Sequence, residues 1–243
     1  MDIKALQLAS RFSLPTNTLG YCGKDTAQAK LKSCIVSRKC EGVEEELSKF
    51  IVVNPYLETI SKITGLPKFS YNVIESYWLG NEQLKKAKPK HYGLLLENFA
   101  KQGVPDWLIN ELKQKQPKKF IPNHLFQVLH VGVGKASGSV PFNLETINNC
   151  MIRWGNVEKI AHGKAIVKLN SLKKEKNTYK LTVSKETLSF DLDFVPGLKV
   201  GDTVAVHWKQ IVKILTADEE KNLSFWTKEV LKSQHPTPLI NFE

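Results

Sequence analysis

The sequence predicts an α+β protein, with a helical bundle over the first half, a small antiparallel β-barrel behind it and a C-terminal helix. Three observations predict this. Up to about residue 120 the turn and capping residues are those of helices. After residue 150 the apolar period switches to two. After residue 215 the helical period returns. The change of period sets the expected boundary: a helical domain over residues 1–145 and a barrel with its terminal helix over residues 146–243.

The chain starts with MDIKALQLASRFSLP, in which polar residues break every apolar run. The continuous hydrophobic region and small-residue cleavage site of a secretory signal are missing, so a cytoplasmic protein is expected. In VVNPYLETISKITG, Asn54 is placed to cap, Pro55 suits a first turn where no amide hydrogen is required, and Gly65 closes the helix. VPDWLINELKQKQP repeats the pattern, with Pro105 at the start, Trp107, Leu108 and Leu112 as its apolar set, and Pro117 as the stop. EGVEEELSKFIV, YNVIESYWLG and HYGLLLENFAKQG are further helices, giving five or six in all. Tyr77, Trp78, Phe99 and Trp107 are expected in their core.

Residues 121–149 join the halves. Their glycines at 132, 134 and 138 match neither GxGxxG nor a trailing GK[ST], so a turn or connecting strand is expected and not a phosphate loop. Beyond it, GKAIVKLN, NTYKLTVSK, ETLSFDLDF and DTVAVHWKQIVKIL alternate apolar and polar residues. Turns are expected at His162 and Gly163, over Lys173 to Asn177, and over Pro196 to Asp202. Strands this short leave few open edges only if the sheet closes on itself. TADEEKNLSFWTKEVLKS then places Thr216 or Asp218 at a helix start. Leu223, Trp226, Val230 and Leu231 fall on one face, expected to pack on the barrel.

The composition, 42% hydrophobic and 24% charged, is that of a globular protein, and no run of eighteen apolar residues is present. The net charge of +11 invites a nucleic-acid partner. It is spread over both halves, however, and carried by lysine, with Arg11, Arg38 and Arg153 the only arginines, so the arginine forks of direct base readout are scarce. The four cysteines, Cys22, Cys34, Cys40 and Cys150, form no CxxC pair and are expected as thiols, Cys34 and Cys40 in the core. Cys22, between glycines in LGYCG, is expected in an accessible turn.

Two further motifs carry a resemblance. Cys150, four residues, Gly155, one residue and Val157 form the first, and VGDTVAVHW, Val200 to Trp208, forms the second, followed by IVKIL and an acidic helix start. In order and spacing these resemble the HypC/HupF family of hydrogenase maturation chaperones over about the last third of the chain. The resemblance implies a barrel of the oligonucleotide-fold kind that carries a transiently bound iron centre on a cysteine thiolate and passes it to protein partners in an assembly pathway. It would make Cys150 the metal ligand and His207 its helper, with Gly155 a backbone requirement. Trp154 stands where the family has a proline, Trp208 and Lys209 where it has a glycine, and Cys150 is internal where the family's cysteine is near-terminal. The first half, with LGYCG and VNPYLE, resembles an uncharacterised helical family and implies no activity.

A soft thiolate with an imidazole suits iron, and the expected function is therefore a metallocentre assembly factor or carrier, not an enzyme. A thiol enzyme using Cys150 and His207 has the residue types but no third partner to orient the base. The alternative from a different class is a nucleic-acid-binding small barrel with Trp208 and Tyr179 as stacking residues.

Overall fold

The structure, a computed structural model, describes residues 1–176 and 178–233. The first half holds helices α1 (Ile3–Thr18), α2 (Ala27–Ser37), α3 (Val43–Ser48), α4 (Val53–Thr64), α5 (Tyr71–Trp78), α6 (Tyr92–Gln102) and α7 (Asp106–Gln114). That is more than the five or six expected, because α1 and α2 are weakly marked in the sequence. Pro15 lies inside α1 near its end, where a proline usually signals a stop.

Gly65 ends α4 in the left-handed conformation, as expected, but Asn54 does not cap it. Its side-chain amide donates instead to Gln102 Oε1 at 2.8 Å and its carbonyl accepts from Lys68 Nζ at 3.0 Å, tying α4 to its neighbours. Tyr77, Trp78 and Phe99 are buried; Trp107, expected beside them, is 57% exposed, because only Leu108, Ile109 and Leu112 of α7 face inward.

The connection from residue 121 to 149 is neither a turn nor a strand. It contains α8 (His124–Phe126), a π-helical turn over Gln127–Gly132 and α9 (Leu144–Cys150). Asn123 starts the first of these, its carbonyl oxygen accepting from Phe126 N at 2.9 Å, and Asn143 caps α9 in the same way through Thr146 N.

The strands are β1 (Arg153–Ala161), β2 (Lys164–Glu175), β3 (Thr178–Ser189), β4 (Thr203–His207) and β5 (Gln210–Ile214), closed in the ring order β1-β2-β3-β5-β4. The expected antiparallel barrel is thus right in its closure and in all pairings but one: β3 meets β5 in parallel, at Ser189 opposite Gln210. ETLSFDLDF is the end of β3 followed by a loop, and DTVAVHWKQIVKIL is two strands. The hairpin between them turns at Trp208 and Lys209, with φ of 49° and 61°. The β1–β2 hairpin turns at His162 and Gly163 as expected.

At Gly155, β1 leaves no room for a side chain against β2; a Cβ there would lie 1.9 Å from the Lys168 carbonyl oxygen. Its role is therefore backbone proximity, as expected of it.

Alternation along the strands divides the apolar residues into two sets. Val157, Val167, Leu169, Leu188, Val204 and Val206 fill the barrel. Trp154, Leu172, Ala205 and Val212 point outward and join the core of the helical half without a break. Helix α10 (Ala217–Ser233) begins in a reciprocal cap, with Thr216 Oγ1 accepting from Glu219 N and the Glu219 carboxylate from Thr216 N. It does not pack on the barrel as expected. Its apolar face returns to the helical half, where Trp226 lies so close to Gly80 that a Cβ would come within 2.3 Å of the indole.

Cys34 and Cys40, expected as thiols, form a disulfide between α2 and the turn that precedes α3. The turn over residues 38–42 brings their Cα atoms to 4.4 Å, a closeness their spacing in sequence did not reveal. The cysteines therefore give no argument for a reducing compartment. Among the described residues no helix is long and apolar enough to cross a membrane.

Candidate metal centre

On β4, Val204 and Val206 point into the barrel, so His207, one residue on, points out into the helical half and is fully buried. Cys150 is the last residue of α9, just ahead of β1, and 7% exposed. As a helix end its carbonyl has no partner within the helix, and His124 from α8 supplies one, Nε2–H donating to Cys150 O at 2.8 Å. The structure thus brings together the two residues singled out in the sequence and adds a third. His124, Cys150 and His207 present ligand atoms that all lie within 4.8 Å of one another, and all three residues are buried. The two imidazole centroids are 5.3 Å apart, and the Cys150 sulfur is 3.8 Å from His124 Nε2.

Each imidazole is oriented by a second group. His207 Nδ1–H donates to the Phe12 carbonyl of α1 at 2.7 Å, which leaves Nε2 as the lone-pair nitrogen, buried and without a hydrogen-bond partner among the described residues. On His124, Nδ1 accepts from the Tyr77 hydroxyl at 3.1 Å. Trp78 packs against both rings, at 4.7 and 5.8 Å between centroids.

Burial keeps the imidazoles neutral. Desolvation lowers the His124 pKa to about 4, and desolvation with the neighbouring His124 holds His207 well below the ordinary histidine value. Burial pushes the Cys150 thiol well up, opposed in part by the Trp208 indole N–H.

The three residues line one cavity of about 40 Å³, together with Cys22, Tyr77 and Trp208. Cys22 is not the accessible turn thiol expected. Its residue is half-buried, and burial raises the thiol pKa to about 11 against a hydrogen bond to Thr16 that lowers it. Asn17 explains the fold of this loop, its amide donating to the Cys22 and Lys24 carbonyls at 3.0 and 2.9 Å.

Trp208 is half-buried, its ring 4.6 Å from that of Tyr21 and its backbone N–H donating to Asn149 O at 2.7 Å; its left-handed backbone is the strained conformation of a two-residue hairpin. Tyr179 is buried. Neither aromatic nominated for base stacking lies on an open face. Trp154 is on the barrel's outer face in the shared core, away from the cavity lining, and Gly155 takes no part in it.

His124 had a signal in the sequence that went unread: an ionisable residue directly after the cap Asn123, at the head of the apolar run HLFQVLHVGV.

A ring of two imidazoles and a thiol, desolvated and with outer hydrogen bonds in place, is a donor set for a first-row transition ion such as iron or zinc. A family model described as a family of unknown function (DUF6390) matches residues 2–237, and the chain belongs to that family. No curated protein and no solved structure matches it.

Proposed function

We propose that the protein is a metallocentre assembly factor or carrier, HypC-like in its barrel, that binds iron or a similar divalent ion between Cys150, His207 and His124 and passes it to a partner protein. One observation carries this reading: three buried ligand atoms from three separate elements within 4.8 Å of one another, with the His207 Nε2 lone pair left unpartnered.

His207 coordinates as it stands, through its free Nε2 lone pair, whereas His124 must first move its proton from Nε2, where it bonds the Cys150 carbonyl, to Nδ1, with the Tyr77 hydroxyl turning to accept it. Cys150 must lose its proton, and a cation beside its sulfur supplies the stabilisation that burial withholds from the thiolate. The same raised thiol pKa argues against Cys150 as an activated nucleophile. A cavity of about 40 Å³ admits an ion with on the order of one or two water-sized ligands. A larger iron complex would enter only with movement of the glycine-rich segment around Gly134 and Ser137, which lines one side.

The test is anaerobic loading with ferrous iron of the wild type and of Cys150→Ser, followed by iron analysis and infrared spectroscopy for cyanide and carbonyl bands in protein isolated from its source. The reading expects about one iron per wild-type chain, lost in the variant. Equal metal in both removes Cys150 as a ligand.

A further inference from the structure

We propose that the mouth of the β-barrel is a second binding site, for a small molecule bearing a carboxylate or phosphate group held by Arg153. A cavity of about 540 Å³ opens there, sharing no lining residue with the metal centre. The wall between them is the end of α9 and the β4–β5 turn, where Asn149 and Lys209 face one cavity and Cys150 and Trp208 the other.

Arg153 begins β1 on the inward side of the strand and is 2% exposed, and among the described residues its charge has one carboxylate to answer it. Nη1 donates to Glu186 and, at 3.4 Å, to Ser171 Oγ. Nε and Nη2 are buried without any partner among the described residues. A guanidinium carries five N–H donors, and its Nε and Nη2 edge is the planar fork that grips an oxyanion with two parallel bonds. A buried charge left with that edge unanswered is costly in a structural residue and expected in a ligand-binding one.

The surroundings favour a polar molecule and not a bare ion. Ser171 and Ser184, 2.8 Å apart, sit beside the guanidinium, and Ser184 also donates to Glu186 at 3.2 Å. Glu186, 31% exposed, is held as a carboxylate by Arg153 through Nη1; when it turns toward solvent the guanidinium is free to bring its closed-off Nε and Nη2 edge to the ligand. Lys209 stands at the rim, paired with Glu145 at 3.3 Å; both are well exposed, so their pair offers little resistance to an arriving anion. The volume lies in the range of small-molecule sites.

The experiment is calorimetric titration of the full chain with inorganic phosphate and, separately, with succinate, against chloride at equal ionic strength. Saturable one-site binding of either supports the proposal, and which one binds names the oxyanion. Arg153→Lys, which keeps charge but not the fork, is expected to weaken binding by about tenfold or more. Glu186→Gln, which removes the competing carboxylate, is expected to tighten it. Binding of neither probe, or binding unchanged in these variants, overturns the proposal. Should the lysine variant not fold, unchanged affinity in Glu186→Gln is by itself sufficient to overturn it.

Discussion

Acid should weaken the metal-free protein well before its carboxylates titrate, and His124 sets the size of the effect. Its folded pKa of about 4 lies below the ordinary histidine value of 6.5. The unfolded chain therefore binds a proton between those values that the folded chain refuses, and stability falls as pH falls through that window. Complete passage from 6.5 to 4 is worth about 3 kcal/mol, and the part between about pH 7 and about pH 5 is worth about 2 kcal/mol. His207, lowered for the same cause, adds in the same direction. Glu75, whose carboxyl burial pushes up, opposes it.

The assay is urea unfolding across this range in the presence of a chelator, comparing wild type with His124→Gln. The amide can still donate to Cys150 O and accept from Tyr77. Of the other titrating groups His207 also responds, because His124 no longer helps lower its pKa; both changes act in the same direction, so the variant should lose less on acidification by about 2 kcal/mol or more. Identical pH dependence would refute the burial and neutrality of this imidazole.

Three further outcomes follow from the packing. Gly155→Ala drives a Cβ into the Lys168 carbonyl and should cost about 1–3 kcal/mol or more in chemical denaturation, with strands β1 and β2 forced apart. Cys34→Ser should lower stability by about 2 kcal/mol, the chain-entropy value for so short a loop; a reductant should do the same to the wild type and nothing to the variant. Cys22, with its thiol pKa near 11, should react slowly with an alkylating reagent at neutral pH and rapidly only on denaturation, as read by mass spectrometry.

The barrel and its closure were legible because alternation is a local signal: KAIVKL and TVAVH show their buried faces residue by residue. The parallel β3–β5 contact was not legible, since it depends on where the ring closes and not on any strand's own pattern. Cys150 and His207 were found through a spacing shared with a known family, and the structure places them in one cavity. His124 was missed because its partners lie 26 and 83 residues away, on elements that only the helical connection of residues 121–149 could bring together, and that connection was expected to lack helices. The Cys34–Cys40 bond escaped for a different reason. Six residues of separation on a continuous helix would keep the thiols apart, and only the chain's turn after Ser37 makes them neighbours.

The central claim is a metal ion held by one sulfur and two imidazole nitrogens drawn from α8, α9 and β4. X-ray absorption at the metal edge of the loaded protein measures those donors directly. The account predicts one sulfur and two imidazoles in the first coordination sphere, with the sulfur lost in Cys150→Ser and one imidazole lost in His207→Ala. A sphere of oxygen donors alone, or one unchanged by both substitutions, would contradict it.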